Sequence, residues 1–78
     1  MRQPVDCVIL SGPLPWAARF RLDCNGAPID GDTVICPAGT QVEETEGLIV
    51  LHFWDAEEPT VILTPDMVRE VRLVPPLR

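Results

Sequence analysis

The longest and most apolar run in the chain is LIVLHFW at residues 48–54. Its β-branched and aromatic side chains are typical of a buried strand. The pair Glu46-Gly47 precedes the run and predicts a tight turn. Residues 55–59 follow as an acidic loop, and residues 60–63 are again β-branched. The sequence therefore predicts a central strand with a hairpin on each side.

Residues 64–74 predict how this unit ends. Thr64 suits a helix N-cap, Pro65 suits the first helical position, and Asp66 suits the positive end of a helix dipole. Because the apolar period of two resumes at Arg69, only one short 3₁₀ turn near residues 65–68 fits. A last strand over residues 69–74, ended by prolines, is expected.

The first third of the chain also carries strand signals. Residues 5–10 are a short apolar run, and residues 11–16 predict an extended loop. Apolar and polar side chains alternate over residues 18–24, the pattern of a half-buried strand. Asn25-Gly26 follows at once, and this pair in that context predicts a hairpin turn.

The middle of the chain predicts short arms and turns. Residues 27–29 would return from the hairpin, and Pro28 places them at a sheet edge or a bulge. Asp30-Gly31 predicts another turn before a strand over residues 33–36. Residues 40–45 form a polar arm in which Val42 is the one large apolar residue.

These elements fit one small domain. The chain has 78 residues, which is too few for a second domain or for a large enclosed active site. No stretch keeps an apolar period of 3.6 over three turns, so no long helix is expected. We predict an all-β, SH3-like or Sm-like barrel of five to seven short strands over residues 1–78.

The order of elements over residues 48–74 resembles the C-terminal half of SH3-like and Sm-like barrels. The apolar pattern of residues 48–51, 61–63, 67–68 and 71–73 also resembles the Rof family. Those proteins are small, acidic and Sm-like, and they bind the termination factor Rho and interfere with its RNA binding. The resemblance implies a barrel and a nucleic-acid-handling partner. It departs from the family at residues 12–15, where two prolines are expected to forbid the family's helix.

Charge is distributed unevenly along the chain. Six arginines and twelve acids give a net charge of −6. Residues 23–66 contain ten acids and no lysine or arginine. Such a block would repel phosphate, so direct nucleic-acid binding is not expected. The acids either keep a small protein in solution or form a face that docks on a basic protein.

The acidic face would centre on two clusters and one aromatic residue. Trp54 adjoins the second cluster, and an exposed aromatic ring among carboxylates is typical of an interface anchor. Trp54 and Trp16 could instead close the ends of the barrel. The predicted partner-binding residues are Glu43, Glu44, Glu46, Trp54, Asp55, Glu57 and Glu58.

No residue pattern predicts catalysis, a metal or a cofactor. Cys7, Cys24, Cys36 and His52 are too widely spaced for a typical zinc site. Each cysteine lies in an apolar strand-like run, so buried reduced thiols are expected, with one disulfide or a metal site as alternatives. His52 is expected at the rim of the barrel. No nucleophile is paired with it at a recognisable spacing, so an enzyme is not expected.

The sequence thus predicts a non-enzymatic module that docks on a basic partner protein and modulates or inhibits it. The alternative is a structural or assembly subunit that associates through a strand edge, including with itself, and the arms around Pro28 and Val42 are the candidate edges. No apolar run approaches the roughly 20 residues of a membrane span. The N-terminus lacks a signal-peptide pattern, and a cytoplasmic protein is expected.

Overall fold

Seven strands, one α-helix and one 3₁₀ turn make up the computed structural model, which describes residues 1–53 and 60–75. The elements are β1 (Arg2–Leu10), α1 (Trp16–Cys24), β2 (Ile29–Asp30), β3 (Thr33–Ile35), β4 (Gln41–Thr45), β5 (Leu48–His52), β6 (Thr60–Leu63), the 3₁₀ turn (Pro65–Met67) and β7 (Val68–Leu73). The sheet curls into a half-barrel, which confirms the predicted all-β small barrel-like fold.

Strand β1 organises the sheet. Its residues 2–4 pair with β4, residues 7–9 pair with β3, and residues 5–10 pair with β7, all antiparallel. The register against β7 shifts between Val5 and Cys7, so that both Val5 and Val8 are buried. A bulge of this kind bends a strand, which lets one strand serve two parts of a curled sheet.

Strands β4, β5 and β6 form the predicted meander around the central apolar run. Thr45 pairs with Leu48 at one turn, and His52 pairs with Thr60 at the other end of β5. The 3₁₀ turn follows β6 as predicted. Thr64 occupies its N-cap position, but the side chain makes no capping hydrogen bond.

The core lies on the concave side of the half-barrel, under α1. Phe53 faces inward with 4% exposure. The core side chains are Val5, Val8, Leu10, Leu14, Leu22, Ala27, Val34, Cys36, Val42, Ile49, Leu51, Phe53, Val61 and Leu63. All but Cys36 are purely hydrocarbon, so burial of apolar surface is the main force that holds the sheet and α1 together.

The strand predicted for residues 18–24 is wrong, because Trp16–Cys24 is an α-helix. The alternating residues also fall at helical spacing. Ala18 and Leu22, four apart, pack on the core, whereas Phe20 and Cys24 form an exposed stripe. The prolines before the helix do not forbid it. Pro15 takes the N-cap position, where its missing N–H costs nothing, and its carbonyl accepts the Arg19 N–H at 3.1 Å.

Asn25-Gly26 ends α1 and is not a hairpin turn, which corrects a second prediction. The Gly26 N–H donates to the Asp23 carbonyl at 3.1 Å, and the Ala27 N–H donates to the Leu22 carbonyl at 2.9 Å. Gly26 has a φ of +74°. These two bonds define a Schellman motif, in which glycine takes the left-handed position past the helix end. The glycine of the pair thus has the left-handed conformation that it would also have in a hairpin turn, while Asn25 has a φ of −97°.

Residues Glu46-Gly47 form the two-residue turn of the β4–β5 hairpin. Both have positive φ, 52° and 75°, which is the signature of a type I′ turn. Glu46 is the one non-glycine residue with positive φ among the described residues. An L-residue with a long side chain is disfavoured there.

Replacing Glu46 with asparagine should raise the free energy of unfolding by about 0.5–1 kcal/mol, because asparagine tolerates left-handed backbone. For a domain of this size that corresponds to a melting temperature about 2–8 °C higher. Thermal unfolding followed by circular dichroism measures the shift. Glu46→Ala is the matched control, since it removes the same charge and keeps the backbone strain. An equal gain in both variants would attribute the effect to charge.

Candidate docking groove

Two shallow grooves open on the half-barrel beside the β4–β5 hairpin, and Glu44 lines both. The first, about 310 Å³, lies between β4, β7 and the start of β1. The second, about 280 Å³, lies between the hairpin turn and Pro65. We call the pair the docking groove. Its lining residues are Met1, Gln3, Val42, Glu44, Thr45, Glu46, Gly47, Leu48, Ile49, Pro65, Val71 and Leu73.

Glu44 reaches this position because of strand alternation. It shares a face of β4 with the buried Val42 and stands opposite Ile49. Glu44 lies one residue before the last of β4, where the sheet ends, so its side chain is exposed although it is on the concave face. A carboxylate thus stands above apolar side chains at the mouth of the half-barrel.

The lining of the groove combines acidic, polar and apolar side chains. Glu44 and Glu46 supply two carboxylates, and none of the lysine, arginine or histidine side chains within residues 1–53 and 60–75 lines the groove. Leu48, Ile49 and Val71 supply apolar walls. Lysine and arginine combine an apolar stem with a cationic head, so a basic segment matches both features of the groove.

Glu43 lies outside the groove, although sequence reasoning grouped it with Glu44. The two are neighbours in a strand and point to opposite faces. The Glu43 Oε1 lies 3.1 Å from His52 Nε2, on the convex face of the sheet. His52 is half-buried, and its contact with Glu43 holds the Glu43 carboxylate on this face.

The second predicted cluster, Asp55, Glu57 and Glu58, lies outside the described residues, as does Trp54. The chain leaves β5 at Phe53 and returns at Thr60. Within the described part of the chain, the predicted acidic face is therefore reduced to Glu44 and Glu46.

Sequence reasoning missed an exposed aromatic pair on α1. Trp16 is 75% exposed and Phe20 is 53% exposed. Their rings stack with centroids 5.2 Å apart. The prediction that Trp16 closes an end of the barrel is wrong. The signal that could have revealed the pair is their spacing of four residues, which places them on one helix face.

The three cysteines are free and lie in different environments. Cys24 is exposed on α1, Cys7 is half-buried in β1, and Cys36 is buried after β3. The expected burial is therefore wrong for Cys24. Burial, with smaller contributions from Cys7 and Asp6, raises the pKa of Cys36 from 9.0 to about 11. Among the described residues, no group of three or more acidic, cysteine or histidine side chains is arranged to hold a metal.

Strand edges also differ from expectation. The arm at Pro28 leads into β2, which ends the sheet. The arm at Val42 is not an edge, because β4 pairs with both β1 and β5. Of the two predicted edges, the structure therefore places only the one at Pro28 at the border of the sheet.

Comparison of the chain with models of known protein families, with curated proteins and with solved structures found no match. The fold itself is a small, sheet-rich half-barrel, and this does not confirm the resemblance to the Rof family. None of the helices in residues 1–53 and 60–75 has the length and apolar character needed to cross a membrane.

Proposed function

We propose that this protein is a non-enzymatic interaction module that binds a basic segment of a partner protein in the docking groove. The observation that carries the proposal is the position of Glu44, which lines both halves of a groove that also has apolar walls. No lysine, arginine or histidine side chain of residues 1–53 and 60–75 lines that groove. A lysine or arginine of the partner would place its head on Glu44 and its stem against Leu48 or Val71.

Electrostatics support this choice of partner. A net charge of −6 attracts a basic protein over distances of about a Debye length, roughly 8 Å at physiological salt. Complementary charge of this kind accelerates and orients docking more than it adds affinity. The apolar walls then supply contact area that a purely charged patch would lack.

The biological role follows from the choice of partner. A module that occupies a basic surface competes with whatever else that surface binds, so we propose that it modulates or inhibits the partner. Proteins that handle nucleic acid present such surfaces, and the resemblance of residues 48–73 to the Rof family makes them the first class to test. We propose no direct nucleic-acid binding, since the groove would repel phosphate. Three free cysteines fit the reducing cytoplasm.

Titration with a short peptide that alternates lysine and leucine tests the groove. Amide chemical shifts in NMR spectra should change most for residues 44–49, Pro65's neighbours and residues 71–73. Binding should weaken as salt rises from about 50 mM to about 500 mM. Glu44→Lys should weaken it on the order of tenfold, because it places a like charge where the peptide's cation would bind.

Asp23→Lys is the matched control, since it makes the same change in net charge on the exposed surface of α1. It should leave affinity within about twofold, as expected for a charge distant from the site. Equal weakening by the two variants, or shift changes spread over every acidic surface, would show that net charge attracts the peptide and that the groove does not bind it.

A further inference from the structure

Strand β7 presents an unpaired edge. Among the described residues it pairs with β1 alone. The Val74 N–H donates to the Pro4 carbonyl at 3.1 Å, so the backbone groups of residue 74 face β1. Because these groups alternate in direction along an antiparallel strand, those of Arg72 also face β1, whereas those of Val71 and Leu73 face the open edge. A row of unpaired backbone groups is a template for another strand.

The side chains of β7 have a charge pattern that fits a copy of itself. Glu70 and Arg72 lie on the convex face, 50% and 59% exposed, and their side chains form an ion pair at 2.6 Å. Val71, between them, packs against the core on the concave face. Arg69 is engaged elsewhere, since it contacts Asp32 of its own chain at 3.4 Å.

Few registers are open to two such strands. In an antiparallel pair, the side chains of two directly opposed residues point to the same face of the sheet. In a symmetric pair the two-fold axis must therefore pass between a residue and its own copy, and not between two successive residues. With the axis at Glu70, the two copies of Glu70 lie opposite each other, and with the axis at Arg72, the two copies of Arg72 do. Both registers place like charges side by side. An axis at Val71 opposes Glu70 of each copy to Arg72 of the other, which gives two cross-strand ion pairs.

We propose that β7 pairs antiparallel with β7 of a second copy, with the two-fold axis at Val71. The open-edge backbone groups of Val71 then bond to their equivalents, and Glu70 and Arg72 exchange their intrachain ion pair for two interchain ones. The sheet continues across the two half-barrels. Pro75 ends the strand, which confines the interface to a short segment and makes the dimer weak. The pairing does not depend on the docking groove being a binding site.

Analytical ultracentrifugation from about 10 μM to about 1 mM tests the pairing. The wild-type chain should show a concentration-dependent increase in mass towards twice that of the monomer. Glu70→Arg and Arg72→Glu, each alone, should weaken association on the order of tenfold or more, because each places like charges opposite one another at both symmetric positions. Circular dichroism checks that each variant is folded.

An equimolar mixture of the two variants should restore association, since every cross-strand position then opposes arginine to glutamate. The mixture carries a summed charge of −4 − 8 = −12, the same as two wild-type chains at −6 each, so general repulsion is unchanged. Both variants lack the intrachain ion pair, and only an interchain contact can be restored by mixing. Glu44→Lys should dimerise as the wild type does. A monomeric wild type at 1 mM, or a mixture that stays monomeric, would overturn the proposal.

Discussion

Leu22→Ala should reduce the free energy of unfolding by about 2–5 kcal/mol, whereas Phe20→Ala, two residues earlier, should cost less than about 1.5 kcal/mol. Leu22 is fully buried and is the one buried residue of α1. Its truncation removes apolar contact and leaves a cavity between the helix and the sheet. Phe20 is 53% exposed, and its loss removes mainly the stacking contact with Trp16.

The cost at Leu22 is large for this protein. A domain of this length has a total stability of about 4–12 kcal/mol. If the total lies at the lower end of that range, this loss leaves a substantial fraction of the chain unfolded at 37 °C. Urea unfolding followed by circular dichroism gives the free energy of unfolding of each variant. An equal slope of that free energy against urea concentration in both variants shows that the two values can be compared.

The comparison of Leu22→Ala with Phe20→Ala also tests whether residues 18–24 form a helix or a strand. In a half-buried strand, Phe20 and Leu22 share one face and would be equally buried. Similar losses at the two positions would therefore contradict α1. A further variant, Asp23→Ala, changes an exposed residue of the same helix and should stay within about 0.5 kcal/mol of the wild type.

Local signals predicted the second half of the fold well. The Glu46-Gly47 turn, the apolar run at residues 48–52 and the 3₁₀ turn after Thr64 each rely on neighbours in sequence. Hairpin strands find their partners within a few residues, so patterning and turn chemistry determine the pairing. This part of the sheet is where prediction and structure agree most closely.

The first half was harder because its signals have two meanings. Over seven residues, the alternation of a strand cannot be distinguished from two helix stripes whose members are four residues apart. How deeply Leu22 is buried depends on tertiary packing, which this local pattern does not report. Asn-Gly favours positive φ, which a type I′ turn and a Schellman motif share. The pairing of β1 with both β3 and β7 joins residues far apart in sequence, which no local pattern reports.

The candidate site shows the same division. Sequence reasoning named Glu44 and Glu46, but it grouped Glu43 with them, although strand alternation turns Glu43 to the opposite face. It did not predict that Val71 and Leu73 would line a groove together with Glu44, because that arrangement depends on how the half-barrel curls. The site thus combines acids visible in the sequence with apolar walls from the neighbouring strand β5 and from the distant strand β7.

Alkylation by iodoacetamide at pH 8 should be at least about tenfold slower at Cys36 in the folded protein than at Cys36 in the unfolded chain, because the fall in thiolate fraction outweighs the greater nucleophilicity of a more basic thiolate. Thiolate is the reactive form. With the pKa of Cys36 raised from 9.0 to about 11, the thiolate fraction at pH 8 falls from about 10% to about 0.1%. Cys36 is also only 9% exposed, so restricted access slows the reaction further.

Mass spectrometry of peptides from timed reactions gives the rate at each thiol. Cys24, exposed on α1, should react first in the folded protein and shows that the reagent is active. In concentrated urea all three thiols should react at similar rates, since burial no longer separates them. Between pH 8 and pH 10 the rate at Cys36 should rise about tenfold per pH unit, because the thiolate fraction does so while the pH stays below the pKa. Rapid labelling of Cys36 in a protein that retains its native circular dichroism would show that the end of β3 opens to solvent, and would contradict the packing of Cys36 against the core.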